Sequence, residues 1–255
     1  YDWVAGSGST LTVYATGLAG FQTCTDGMDP VDIDEDGDND SCIHPTADIG
    51  DYVTIEPGAR IHANAVIAPR AIIGDNAVIG AGSIVGRRAE VRGTLGADVV
   101  LGRAASVLQD STVGSGSTIG YGSTIGNSDL GPNTTIGNLV SVFGSSVGDD
   151  GGLGLVVVAR STTIQSTSVD SQTVVGPDCD LDTTNIGASV RIRKEASFAF
   201  GSVVNDGARI GRDADIGSSA TIVANARVGA NAIVSSDSCP AGDVARGVTD
   251  STPCP

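Results

Sequence analysis

Residues Ile43 to Val91 read IHPTADIGDYVTIEPGARIHANAVIAPRAIIGDNAVIGAGSIVGRRAEV. An aliphatic residue returns at every sixth position: Ile43, Ile49, Ile55, Ile61, Ile67, Ile73, Ile79, Val85 and Val91. A period of six suits neither a helix face nor a flat alternating strand. It suits a chain that makes a short strand, a sharp corner and another short strand around a triangular coil. The aliphatic side chains then point inward, and the small residues that flank them fit the corners, where backbones crowd.

The pattern resembles the hexapeptide-repeat, left-handed parallel β-helix family, whose motif is aliphatic, small or acidic, any, any, small, any. The opening Ile43-His44-Pro45-Thr46-Ala47 is similar to the first coil of its acyltransferases, and the resemblance covers about three quarters of the chain. The left hand is implied by the resemblance alone, since the general rule for parallel crossovers favours the right.

Outward from the quoted stretch, the step shortens at Leu95 and resumes through Leu101, Val107, Val113, Ile119 and Ile125. Five-residue steps follow at Leu130, Val147, Val169 and Ile186, about one turn apart, so one corner reads as tighter. Strict hexads return from Ile192 to Val234. Thirty-four inward positions make about eleven coils. The expected fold is an all-β, single-stranded left-handed parallel β-helix with short disulfide-stapled ends. Residues 1–42 read as an N-terminal strand or cap with an acidic loop, 43–236 as the β-helix, and 237–255 as a C-terminal tail closed by a disulfide.

The net charge of -16 argues against nucleic acid and anionic membrane surfaces as partners. No apolar run reaches the roughly 18 residues of a membrane span. The chain begins at Tyr1 rather than Met, which reads as a processed product or a fragment. Of five cysteines, Cys24 with Cys42 and Cys239 with Cys254 form two close pairs, and Cys179 remains. Each pair would close a loop worth about 3 kcal/mol and points to an oxidising, extracellular or cell-surface setting. Cys179 reads as a buried free thiol.

Between Asp32 and Cys42 the chain runs D-x-D-x-D-G-x-x-D-x-C. Alternate carboxylates can turn inward to a hard cation, and glycine permits the bend, so a calcium ion is the expected cofactor. The run also resembles one thrombospondin type 3 repeat. That likeness implies side-chain or water-mediated ligation by Asp32, Asp34, Asp36 and Asp40, and carbonyl ligation by Asp38. Ile43 stands where an EF-hand has its bidentate Glu, so flanking helices are not expected.

The acyltransferases of the resembling family use a histidine base in a cleft between neighbouring solenoids. Its carbonic-anhydrase branch shares a metal among three histidines. This chain has two, His44 and His62, one turn apart on one corner, and the C-terminal helical domain of the acyltransferases is missing. The reading is therefore a non-catalytic structural subunit. The alternative is an acyltransferase or carbonic-anhydrase-like homotrimer.

Self-association has two candidate surfaces. Leu11 and Val13, in the alternating segment Thr10–Thr16, offer an exposed strand to a neighbour. Val66, Ile84 and Val100 should stack as an outward apolar stripe, and Arg191, Arg209 and Arg227 as a cationic one, with Asp213 and Asp215 as intervening acids. The expected partners are copies of the chain, in a filament or a trimer, with carbohydrate as a further candidate.

Overall fold

The computed structural model describes residues 24–33, 40–148 and 156–254. Leu11, Val13, Asp34, Asp36 and Asp38 lie outside them. The described residues contain no helix, and so none long and apolar enough to cross a membrane, which says nothing of β-barrels. They divide into two compact units, 1–122 and 123–255.

In the first unit the chain visits three faces in rotation, and each strand pairs in parallel with the strand one turn later. One face stacks Ser41–Ile43, Arg60–Ile61, Val78–Ile79, Thr94–Leu95 and Thr112–Val113. The next stacks Asp48–Ile49, Val66–Ile67, Ile84–Val85, Val100–Leu101 and Thr118–Ile119. The third stacks Thr54–Ile55, Ile72–Ile73, Glu90–Val91 and Ser106–Val107. Isoleucine pairs with isoleucine inside, as at Ile61 and Ile79. Burying one such side chain contributes about 1.5–3 kcal/mol. Asp29–Val31 lies antiparallel on the first face against Ser41–Ile43. The hand is left, as the hexad resemblance implied.

The six-residue step turns through one left-handed residue, the third after the inward aliphatic: Asn64 (φ 58°), Arg70 (62°) and Asn76 (56°) are examples. Asn and Asp tolerate that region through their short polar side chains, whereas Arg70 pays roughly 1–2 kcal/mol in backbone strain. The residue two places before the next aliphatic faces inward and is small: Ala65, Ala71, Ala77 and Ala89 are fully buried. Where it is Ala, its N–H closes the corner on a carbonyl three residues back, as in Ala77 to Gly74 (3.2 Å).

A bulkier Val at that position changes the corner. Ser83 Oγ on the preceding coil accepts the Val99 N–H (3.0 Å) and donates to the Gly96 carbonyl (2.8 Å), standing between the two groups that would otherwise pair. Two further valines in the second unit are served alike, Val140 by Ser123 and Val190 by Thr173. The buried hydroxyls of Ser83, Ser123 and Thr173 are therefore backbone satisfiers.

In the second unit each five-residue step falls at the same corner and turns through the second residue after the aliphatic, at Asn127, Gly144, Ser166 and Thr183 (φ 45–58°). Ser128, Ser145, Thr167 and Thr184 line that corner inside, each hydroxyl donating to a carbonyl of its own coil (2.7–3.0 Å). The first three hydroxyls also accept an N–H from the next coil (3.1–3.3 Å). The tail continues the coiling: Thr249–Asp250 pairs in parallel with Ile233–Val234, and Val244 bridges Val228. Disulfides Cys24–Cys42 and Cys239–Cys254 are formed near the ends of the chain, spanning 18 and 15 residues.

Candidate functional site

The two histidines occupy one corner of the first unit. Each follows an inward Ile of the pair Ile43 and Ile61, and each main-chain N–H bonds the next coil (His44 to Ile61, 2.8 Å; His62 to Ile79, 3.0 Å). Both are half-buried. Their chemistry differs. His44 Nδ1 accepts the Thr46 N–H (3.1 Å) and lies 2.9 Å from Thr46 Oγ1, whose own lone pair takes the Asn64 N–H (2.9 Å). Two donors on Nδ1 put the neutral ring's proton on Nε2. That nitrogen faces Gly27, where a Cβ would sit 3.5 Å away.

His62 makes no side-chain hydrogen bond to a described residue. The equivalent corner position of the next coil is Gly80, so no side chain covers the ring from that side. His62 therefore has both ring nitrogens without a hydrogen-bond partner among the described residues. The strand that follows it begins with Val66, which registers with Ile84 and then Val100. These three are 38–44% exposed, so the apolar stripe is present and borders the histidine corner. Among the described residues no three His, Cys, Asp or Glu side chains gather as metal ligands.

A second recess follows from the four-residue step between Val91 and Leu95. Missing two residues, the corner leaves a hollow of about 470 Å³ lined by Asp75, Arg92, Thr94, Gln109 and Thr112 among others. Arg92 bonds Glu90 and reaches over Gly74 to Glu56 (3.2 Å) and Asp75 (3.7 Å). A Cβ at Gly74 would meet Arg92 Cγ at 2.6 Å, so the glycine makes the crossing possible. The hydrogen bond to Glu90 raises the guanidinium pKa above its usual value, against a lowering by burial and with help from Glu56. No sequence signal marked this cluster, because Glu90 and Arg92 stand 34 and 36 residues from Glu56 along the chain and meet it only after coiling.

Arg191, Arg209 and Arg227 stack in register on one face of the second unit, all exposed. The intervening acids expected between them are elsewhere. Asp215 lies on another face, registering with Ser197, and Asp213 pairs with Arg212 (3.1 Å) at a corner. Of the residues expected to ligate calcium only Asp32 and Asp40 fall within the described residues. Asp40 Oδ1 and the neighbouring Ser41 Oγ are buried and have no hydrogen-bond partner among them. Cys179 is a buried free thiol, its Sγ donating to the Arg193 carbonyl (3.1 Å). Burial pushes its pKa up to about 11.

The family model for the bacterial transferase hexapeptide (six repeats) matches residues 52–87. Among curated protein sequences, none matches significantly. Solved structures that match include the UDP-N-acetylglucosamine O-acyltransferase LpxA of Moraxella catarrhalis, at 20% identity over 81% of this chain and 70% of that one, TM-score 0.41. The Arabidopsis UDP-N-acetylglucosamine acyltransferase matches at 17% identity over 77% of this chain and 64% of that one, TM-score 0.31. The acetyltransferase domain of PglB from Neisseria gonorrhoeae matches at 15% identity over 82% of this chain and 53% of that one, TM-score 0.20.

These findings correct the reading of the chain as a non-catalytic structural subunit that builds filaments. The matched repeat model is a transferase model, so acyl transfer, the alternative, is the better supported of the two. The match is compatible with self-association, and none of the comparisons bears on calcium or on an extracellular place. The transferase hexapeptide repeat is matched over residues 52–87, and each unit has the coils of a left-handed parallel β-helix.

Proposed function

We propose that this chain is an acyltransferase that acts as a homotrimer, with His62 as general base. One observation carries the reading: the transferase repeat match contains His62, a half-buried imidazole without a hydrogen-bond partner among the described residues, beside an exposed apolar stripe. Packing that stripe against a neighbouring copy would turn the histidine corner into the wall of a cleft. There the imidazole takes the proton of an acceptor hydroxyl or amine as it attacks the carbonyl carbon of an acyl thioester. The C–S bond breaks, and the proton passes to the leaving thiolate. General-base catalysis of this kind supplies about 10²–10⁴-fold.

The experiment is a transfer assay with acetyl-CoA and longer acyl thioesters against a panel of sugar hydroxyls and amines, including UDP-N-acetylglucosamine. Wild type should acylate at least one acceptor, and His62→Ala should lower that rate at least about 100-fold while His44→Ala/His62→Ala still folds. No transfer by wild type, or full activity in His62→Ala, refutes the assignment.

We also propose that calcium orders the segment leading into the first coil. The buried Asp40 Oδ1, unpartnered among the described residues, favours it, since a carboxylate oxygen left without a donor is disfavoured unless a cation takes that place. Together with Asp32 it would supply oxygen ligands at one end of the acidic run. The two disulfides favour an oxidising, extracytoplasmic location.

A further inference from the structure

The arginine ladder is unfavourable as folding chemistry. Arg191, Arg209 and Arg227 are direct register partners on parallel strands, and neighbouring strands lie about 4.8 Å apart. Like charges directly opposite one another destabilise a sheet. None of the three guanidiniums makes an ion pair or hydrogen bond with a described residue. Cations on the adjoining corner are treated differently: Lys194 is held by Glu195 (2.7 Å), and Arg212 by Asp213 (3.1 Å). Asp243, which approaches the last rung, accepts the main-chain N–H of Arg227 on its Oδ1 (2.8 Å). A chain of net charge -16 thus leaves three stacked positive charges in solvent on one flat face.

The spacing selects the partner. Negative groups that match all three rungs must recur at about the inter-strand distance of 4.8 Å. An extended acidic peptide presents one side per two residues, about 6.6 Å, and falls out of step after the first rung. Single-stranded nucleic acid needs aromatic platforms, and the outward positions leading to the ladder are Val157 and Val174. A pyranose advances a glycan by nearly the strand spacing. We propose that Arg191, Arg209 and Arg227 form a docking rail for an acidic polysaccharide with one carboxylate or sulfate per sugar, lying across the strands. Flat β faces suit such a polymer because each sugar meets one strand. This surface does not rest on the acyl-transfer reading, and either can fail alone.

The test is calorimetric titration of the full-length protein with polygalacturonate, with dextran as neutral control and oligo-dT and poly-glutamate as competing polyanions. Three charge contacts predict a log–log salt slope of about -2, which is about a 20-fold loss of affinity between 50 and 200 mM salt. Arg209→Gln should flatten the slope by about 0.7, and the triple change to Gln should abolish binding. Arg103→Gln, in the other unit, should leave it unchanged. All three rungs are exposed, and circular dichroism of each variant confirms folding. The proposal is overturned by no binding of polygalacturonate at low salt, or by a folded triple variant that binds within twofold of wild type. Tighter binding of oligo-dT or poly-glutamate than of polygalacturonate overturns it too.

Discussion

Ser83→Ala tests the account of how these corners are closed. Ser83 and Val99 are both fully buried, and the serine hydroxyl stands between the Val99 N–H (3.0 Å) and the Gly96 carbonyl (2.8 Å). Removing one oxygen atom adds no bulk and opens little volume. It leaves a buried N–H without an acceptor, which costs about 1–3 kcal/mol, so the expected loss is about 2 kcal/mol. Urea unfolding should show a lower midpoint at unchanged slope. Hydrogen exchange of the Val99 amide should accelerate more than that of its neighbours. Ser106→Ala, on the outward side, should stay within about 0.5 kcal/mol. In a Val99→Ala background the same change should cost less, because alanine lets the N–H close on Gly96 as Ala77 closes on Gly74. A loss under about 0.5 kcal/mol with the Val99 amide still protected would refute the reasoning.

Four further outcomes are expected. The Cys179 thiol, pushed up to about 11 from 9.0, should resist alkylation at pH 8 in the folded protein. Because its folded pKa is the higher one, its stabilisation is complete below pH 9.0 and fades as pH rises through about 11, by about 2–3 kcal/mol relative to Cys179→Ser, measured by urea unfolding across that window. Gly80→Ala should cost about 3 kcal/mol or prevent folding, since its Cβ would lie 2.3 Å from the Gly96 carbonyl group; soluble yield and melting temperature report it. Ile84→Asp should convert a trimer to monomers by analytical ultracentrifugation, and an unchanged mass would remove the stripe from the interface. Calcium at about 100 times its Kd should raise stability by about 2.7 kcal/mol, an increment that Asp40→Asn should reduce in thermal melts with and without chelator.

The hexad was enough to read the coil, because each inward aliphatic depends only on its own position within a repeat and on identical neighbours one turn away. The tighter corner, the stacked arginines and the two disulfide pairs were legible for the same reason: each is a spacing along the chain. What the tertiary structure decided involves atoms from two coils at once. Ser83 looks like any small corner residue until Val99 comes to lie against it. Arg92 meets Glu56 only because Gly74, on the coil between them, has no side chain. The tail resumes coiling although its 16-residue offset from Val228 to Val244 breaks the hexad. His44 and His62 read alike in sequence, one turn apart after identical isoleucines. They differ in space because Thr46 supplies two donors to the first ring, while the second stands next to a glycine corner and keeps its nitrogens. A repeat encodes where each side chain points, and the neighbouring coil determines which hydrogen bonds it can still make.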